Sequence, residues 1–136
     1  MDTQFDDLVA LALAARSKAY APYSKFPVGA AVKCKSGAVF VGANIENRSF
    51  GLTICAERVA MGAAVAAGER DFVAIAVTAD SDEPIIPCGA CRQFLAEFTP
   101  DLIIISATVG GDRKIENLSR LLPEPTRGIL KYADPS

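Results

Sequence analysis

Three cysteines and one glutamate in this chain have the types and the spacing of a catalytic zinc site. Cys88 and Cys91 form a Cys-x-x-Cys turn behind Pro87, and Cys55 lies far upstream with Glu57 two residues after it. Three thiolates can hold zinc while leaving the fourth tetrahedral position open to water. A carboxylate beside that open position can move a proton, so the pattern predicts a hydrolytic centre with Glu57 as the proton carrier.

The composition restricts which groups can serve such a centre. Histidine is absent from all 136 residues, so a zinc site must be built from cysteine together with aspartate or glutamate. The fourth cysteine, Cys34, falls in a predicted strand without a partner motif and is predicted to be a small buried hydrophobic residue. Two alternatives stay open at this point: the cysteines are buried or redox-active, or Cys34 completes a closed structural zinc module.

A centre of three thiolates also raises a question of charge. Zinc with three thiolates carries a net charge of about −1. A centre with this charge lowers the pKa of a bound water molecule only slightly. A guanidinium group that hydrogen-bonds the thiolates would offset this charge, helped by the positive ends of two helices. We predict that Arg58 has this role. The alternative is a surface arginine paired with Glu69 or with solvent, and for Glu57 it is a solvated or helix-capping glutamate.

Hydrophobic periodicity and turn residues predict how the chain positions these groups. Asp2 or Thr3 can cap a first helix that runs to about residue 18, and an aromatic-rich loop follows it. Further helices are predicted at 54–67, 88–98 and 117–122, and strands at 28–35, 38–43, 72–79 and 102–107. This order predicts an α/β domain with a mixed sheet and helices on its faces. Both cysteine-bearing helices begin after loops, where sites of α/β sheets lie.

Composition and charge exclude several classes of function. Residues 1–136 form one predicted domain, with 51% hydrophobic and 22% charged residues, as in compact globular proteins. The net charge of −2 and the scattered lysines and arginines argue against a nucleic-acid partner. We find neither a signal-like N-terminus nor an apolar run of about 18 residues, so we expect a cytoplasmic protein without a membrane partner.

With these residues in view, the chain resembles the zinc-dependent cytidine deaminase superfamily. It is most similar to the small homotetrameric cytidine deaminases, from about residue 20 to 122. Four segments carry the resemblance: YAPYSKFPVGAA at 20–31, NIEN at 44–47, TICAER at 53–58 and PCGACRQ at 87–93. The resemblance implies a three-layer α/β/α fold with about five strands, Zn²⁺ as cofactor, and a homotetramer with sites near subunit interfaces.

The same resemblance implies a reaction and a role for each matching residue. The reaction is hydrolytic deamination of cytidine or deoxycytidine, by a zinc-bound hydroxide, to uridine or deoxyuridine and ammonia, as in pyrimidine salvage. The implied roles are zinc binding by Cys55, Cys88 and Cys91, proton transfer by Glu57, stacking on the pyrimidine by Phe26, binding of the ribose 3′-hydroxyl by Asn44 and Glu46, and recognition of the base edge by the backbone of Ala56 with Glu57. Without the resemblance, the sequence predicts a core or interface residue at Phe26 and turn residues at Asn44 and Glu46.

Two departures from the family leave an alternative substrate open. Phe50 stands where the family commonly has tyrosine, and no phenylalanine follows Phe98 to cover the base of an adjacent subunit, although Tyr132 lies in the tail. These departures permit a deaminase of a blasticidin-type aminonucleoside or of a modified cytosine nucleoside. The segment around Asn44 and the loop of Phe26 favour a plain nucleoside. Low charge and short length argue against a polynucleotide-editing deaminase.

Overall fold

The protein is described by a computed structural model over residues 3–126. Its helices and strands are, in chain order, α1 (Asp6–Ala15), β1 (Val28–Cys34), β2 (Val39–Ala43), α2 (Ala56–Ala66), β3 (Phe72–Ala79), α3 (Gly89–Ala96), β4 (Ile103–Thr108), β5 (Arg113–Asn117) and α4 (Leu118–Leu121), with 3₁₀ turns at Arg16–Lys18 and Phe50–Leu52. The five strands form one sheet in the order β2-β1-β3-β4-β5. Only β3 and β4 pair in parallel within this sheet.

Helices cover both faces of the sheet, so the predicted mixed α/β/α arrangement is confirmed. On one face, α1 packs its buried residues Leu8, Val9 and Ala12 against Ala76 and Ile105 of the sheet. On the other face, α2, α3 and α4 pack over the larger core cluster. The central strand β3 is buried at seven of its eight positions, which matches its apolar sequence and its place between two neighbours.

The strand directions bring the two cysteine-bearing helices to one edge of the sheet. β1 is antiparallel to both β2 and β3, so β2 and β3 run in the same direction. Helix α2 follows β2, and α3 follows β3. Both helices therefore begin beyond the carboxyl ends of their strands, at the edge where α/β proteins place their sites.

Several predicted boundaries need correction. The α-helical part of the first helix ends at Ala15 and continues as a 3₁₀ turn to Lys18. Its N-cap is Phe5, which makes no side-chain capping bond, so Thr3 is not the cap, and Asp2 lies outside the described residues. The other two long helices begin slightly later than predicted, at Ala56 and Gly89, because the residue before each keeps an extended backbone.

The sheet has the five strands that the resemblance implied, whereas the hydrophobic pattern alone predicted four. β5 (Arg113–Asn117) pairs with β4 along one edge of the sheet, and its sequence RKIEN is mostly exposed. A polar edge strand lacks the apolar alternation that reveals a half-buried strand, and charged residues on an edge discourage pairing with other chains. Among the described residues, no helix has the length and the apolar character needed to cross a membrane.

Gly42 sets the distance between the sheet and the helix that carries Glu57. A Cβ atom at Gly42 would lie 2.4 Å from the backbone nitrogen of Ala60 and 2.8 Å from the carbonyl oxygen of Ala56. We expect Gly42→Ala to push α2 away from β2 and to lower the free energy of unfolding by about 1–3 kcal/mol, measured by denaturant titration.

The matched control is Gly62→Ala, within α2. A Cβ at Gly62 meets no atom within 4 Å outside the backbone of its own helix. This variant should unfold at the same or a slightly higher denaturant concentration, since alanine is the better helix former. Equal destabilisation by both changes would contradict the close approach at Gly42.

Candidate active site

The N-termini of α2 and α3 bring three sulfur atoms together. Cys55 is the N-cap of α2, Cys88 is the N-cap of α3, and Cys91 lies one turn into α3. The Sγ atoms of Cys55 and Cys88 are 4.0 Å apart, those of Cys88 and Cys91 are 3.5 Å apart, and all three lie within 4.8 Å of one another. Cys88 is exposed whereas Cys91 is buried, so the cluster opens to solvent on one side.

This donor set fits a zinc ion. Zinc–sulfur bonds of about 2.3 Å in a tetrahedron place the sulfur atoms roughly 3.8 Å apart. The Cys55–Cys88 and Cys88–Cys91 separations, 4.0 and 3.5 Å, bracket that value. Cys34 is buried in β1 and is not part of the cluster, as the sequence predicted, so three thiols and one open position are available.

The thiols of this cluster are strongly coupled to one another. The hydrogen bond from Cys91, together with those from Arg58 and Cys88, lowers the pKa of Cys55 to about 5 despite burial. The pKa of Cys91 is raised, because this thiol donates to the Cys55 sulfur and is buried beside Glu57. The cluster therefore concentrates negative charge on Cys55 and retains a proton on Cys91, which a metal ion would displace on binding.

Glu57 is a buried carboxylate next to the sulfur cluster. It lies in the first turn of α2 and is only 4% exposed. Burial is the main cause that raises the pKa of Glu57 to about 6, and the charge of Cys55 adds to it, while its own backbone N–H and the Cys91 thiol act in the opposite direction. A solvated surface glutamate is excluded by this burial.

Arg58 reaches the cluster from the next position of α2. Its Nη2 atom donates to the Cys55 sulfur at 3.7 Å and to the carbonyl oxygen of Thr53 at 3.3 Å. The pKa of Arg58 is raised chiefly by its hydrogen bond to Cys55. Its Nε atom is buried and, among the described residues, has no hydrogen-bond partner. The guanidinium group thus faces the thiolates rather than Glu69, which bonds Ser36.

Three extended segments connect the aromatic loop to the sulfur cluster. Ile45 forms a parallel bridge with Tyr20 and an antiparallel bridge with Ile54, the residue before Cys55. The backbone groups of Ile45 and Ile54 exchange two hydrogen bonds of 2.9 Å. The segment 44–46 therefore lies between the loop that contains Phe26 and the start of α2.

The side chains predicted to bind ribose also hold this loop. Asn44 is 8% exposed; its Oδ1 accepts from the Val28 amide at 2.9 Å and its Nδ2 donates to the Phe26 carbonyl at 3.0 Å. Glu46 accepts from the amides of Tyr23 and Ser24 and from the Ser24 hydroxyl. Each side chain keeps hydrogen-bonding capacity, since one Asn44 N–H and about one Glu46 lone pair remain unused by these bonds.

The remaining predicted residues lie at the same edge of the sheet. The Phe26 side chain is 37% exposed at the end of the loop. Ala56 is fully buried and is the first residue of α2, so its backbone amide is among those that have no acceptor within the helix. The structure thus gathers the predicted residues around two helix N-termini and one loop.

Two residues with evident structural roles here were not predicted. Ser24 links Glu46 to the Phe26 loop, and Arg92 donates to the carbonyl oxygens of Pro87 and Leu121 at 2.8 and 3.2 Å. Arg92 thereby ties the residue before Cys88 to the end of α4. Both residues fall inside the quoted segments of the sequence, but a residue type alone does not reveal its bonding partner.

Comparisons with known proteins agree with this geometry. A family model described as the cytidine and deoxycytidylate deaminase zinc-binding region matches residues 2–107. A cytidine deaminase from Halalkalibacterium halodurans is 52% identical over 124 residues, covering 90% of this chain and 92% of that protein. A blasticidin-S deaminase from Bacillus cereus is 34% identical over 90 residues, covering 60% of this chain and 64% of that protein.

The fold has a close counterpart among solved structures. The crystal structure of a cytidine deaminase from Burkholderia pseudomallei superposes with a TM-score of 0.87 and 48% sequence identity, covering 89% of this chain and 98% of that chain. The similarity in sequence and in fold therefore extends over most of the described residues.

Proposed function

The chain belongs to the cytidine and deoxycytidylate deaminase family, and from this premise we propose that it hydrolyses cytidine or deoxycytidine to uridine or deoxyuridine and ammonia. The observation that carries the proposal is the meeting of the three sulfur atoms of Cys55, Cys88 and Cys91 beside the buried carboxylate of Glu57. A closed structural zinc site would need a fourth protein ligand, whereas this cluster offers three and an open side.

The chain's residues supply the ligands and the proton transfers. When bound to the three cysteines, zinc supplies a Lewis acid that lowers the pKa of a water ligand toward neutrality. Glu57 accepts a proton from the attacking water and delivers it to N3 of the cytosine ring. The water oxygen forms a bond to C4, and Glu57 then takes the remaining proton of that hydroxyl group and delivers it to the amino nitrogen. The C4–N bond breaks, and ammonia leaves as the C4 carbonyl forms. One water is consumed for each ammonia released.

The rest of the site binds the nucleoside in this proposal. The exposed ring of Phe26 stacks on the pyrimidine, and the spare hydrogen-bonding capacity of Asn44 and Glu46 is directed to the ribose 3′-hydroxyl. The backbone of Ala56, at the N-terminus of α2, donates to the edge of the base. These contacts would orient C4 toward the cluster, and holding the reacting groups in the right geometry lowers the barrier to hydrolysis.

A substrate panel tests the proposed function. The purified protein is incubated separately with cytidine, deoxycytidine and blasticidin S, and released ammonia is measured with and without a zinc chelator. We expect chelator-sensitive ammonia release from cytidine or deoxycytidine. Turnover of blasticidin S alone would support the alternative substrate, and no release from any of the three would contradict the proposal.

The blasticidin-type alternative has one specific observation in its favour. The similarity to a blasticidin-S deaminase spans 60% of the chain, although at a lower identity than the similarity to cytidine deaminases. Phe50, where the family commonly has tyrosine, is exposed and packs edge-on against Tyr23 with ring centroids 6.3 Å apart. Tyr132, the other residue that bears on this alternative, lies outside the described residues.

Arg58 is proposed to reduce the negative charge of the thiolate cluster. We expect Arg58→Gln to keep zinc bound but to lower kcat/KM for cytidine about 10- to 100-fold, because the guanidinium group next to Cys55 is lost. Steady-state kinetics and metal analysis of the same preparation provide the measurement.

Arg70→Gln is the matched control for Arg58. Arg70 donates to the carbonyl oxygens of Val65 and Glu69, and it lies beyond the C-terminal end of α2, opposite the end that carries Cys55. The Arg70→Gln variant should retain the wild-type kcat/KM for cytidine. An unchanged rate and pH profile for Arg58→Gln would refute the charge-balancing role.

We also propose a homotetramer with sites near subunit interfaces, acting in the cytoplasm. Phe50 and Leu52 are 76% and 65% exposed, Phe50 contacts Tyr23, and Tyr20, Tyr23 and Ile54 are exposed as well. Exposed apolar residues that lie together on a small domain mark an interaction surface, which supports the assembly. The free cysteines support the cytoplasm, because free thiols persist in a reducing compartment. Light scattering should give four times the chain mass, and Leu52→Glu should lower it; a wild-type monomer would contradict this assembly.

A further inference from the structure

We infer that Ser24 is a positioning residue for substrate binding: its hydroxyl couples the carboxylate of Glu46 to the backbone of Phe26. The Ser24 Oγ atom donates to Glu46 and at the same time accepts from the Phe26 amide at 3.0 Å. This inference rests on the proposed function only in that Phe26 is taken to stack on the base.

The bonds around Ser24 converge on one short stretch of backbone. Glu46 accepts from the backbone amides of Tyr23 and Ser24 at 3.0 and 3.1 Å. The side chain of Asn44 holds the other end of this stretch of backbone, because it accepts from the Val28 amide and donates to the Phe26 carbonyl. Ser24 is the link between these two anchors, because its hydroxyl is the acceptor for the amide of the stacking residue itself.

The backbone between the anchors has an uncommon conformation. Lys25 has a φ of 57°, and it is the only described residue other than glycine with a positive φ. A side chain in this left-handed region is disfavoured unless its surroundings hold it there. The bonds to Ser24 on one side and to Asn44 on the other keep this turn in place, and the turn sets the direction in which the Phe26 ring points.

The two anchors, Asn44 and Glu46, are also connected to the start of helix α2, which follows Cys55. Ile45, which lies between Asn44 and Glu46 in the chain, exchanges backbone hydrogen bonds with Ile54, and Ile54 precedes Cys55. The path from the Phe26 amide thus runs through the hydrogen bonds of Ser24 and Glu46, along the backbone to Ile45, and through its hydrogen bonds with Ile54 to the start of α2. The ring of Phe26 is consequently held at a set position relative to the sulfur cluster, as an oriented substrate requires.

The pKa of Glu46 supports the same network. Its pKa is lowered, first by the hydrogen bond from the Ser24 hydroxyl and then by the Ser24 amide. The carboxylate is therefore ionised when it accepts these bonds, and charge-assisted hydrogen bonds of this type are stronger than neutral ones.

The test compares Ser24→Ala with Ser36→Ala. Ser36 has the same pair of bonds at a distant place: its hydroxyl donates to Glu69 and accepts from the Ala38 amide in the β1–β2 turn. We expect Ser24→Ala to raise KM for cytidine and Kd for uridine about fivefold, with kcat within about a factor of two, since stacking contributes to substrate and transition-state binding alike. Ser36→Ala should leave all three constants unchanged, and Ser24→Thr should restore KM.

A double-mutant cycle with Phe26→Ala shows whether Ser24 acts through the ring. If it does, Ser24→Ala raises KM no further once the ring has been removed. The inference is wrong if the increase is the same in both backgrounds, or if Ser24→Ala behaves like Ser36→Ala while the wild type deaminates cytidine. A wild type that neither binds uridine nor deaminates cytidine would instead count against the proposed function.

Discussion

Replacing Glu57 by alanine is expected to lower kcat for cytidine about 10³- to 10⁴-fold while bound zinc stays at the wild-type level. Glu57 is the buried carboxylate beside the three sulfur atoms, and no other carboxylate of the described residues is buried in this way. Without it, proton transfer to N3 and to the leaving amino group depends on bulk water. Rapid metal analysis and steady-state kinetics on one preparation give both quantities.

Two further variants make the Glu57 result specific. Glu57→Gln keeps the shape of the side chain but cannot carry the proton, so its kcat should fall nearly as far as that of the alanine variant. Glu97→Ala removes an exposed carboxylate at the end of α3 and should retain full activity. Near-wild-type turnover by Glu57→Ala would show that another group transfers the proton.

The second large effect is expected for Cys91→Ala. Cys91 is the buried member of the sulfur cluster, and its removal leaves two thiolates, one of them exposed. We expect zinc content to fall below about a tenth of the wild-type value and activity to be lost. The free energy of unfolding should drop by about 3 kcal/mol or more, because the binding energy of the metal no longer stabilises the fold.

Cys34→Ala is the matched control for the loss of a buried thiol. Cys34 is fully buried in β1 but lies outside the cluster. Its replacement should cost some packing energy while zinc content and kcat remain as in the wild type. Loss of zinc from Cys34→Ala, or its retention by Cys91→Ala, would mean that the ligand set differs from the three cysteines proposed.

The sulfur cluster could be predicted from the sequence because two of its members are neighbours at one helix start and the third lies at the start of another helix. Cys88 and Cys91 lie three positions apart at a helix start, which places them on one face of the helix. The position of Cys55 follows from the strand directions, since α2 and α3 begin at the same edge of the sheet. The absence of histidine then left cysteine as the main donor.

The network around Ser24 could not be predicted in the same way. Two residues that bond each other in this network, Tyr23 and Glu46, are 23 residues apart in the chain. They meet because Ile45 pairs with Tyr20 and Ile54. The hydrophobic pattern did not predict strand β5, because its polar sequence has no burial pattern. Its pairing with β4 is a property of the assembled sheet. Long-range pairing of this kind has no local signal.

The most direct test of a catalytic zinc held by the three cysteines is the ammonia released from cytidine as a function of bound zinc. The protein is stripped with a chelator, reloaded with known fractions of zinc, and assayed for ammonia and uridine together. We expect both products to form in equal amounts and in proportion to the zinc held by Cys55, Cys88 and Cys91, with full recovery of activity on reloading. Full activity in the stripped protein, or fully loaded protein that releases no ammonia, would contradict this expectation.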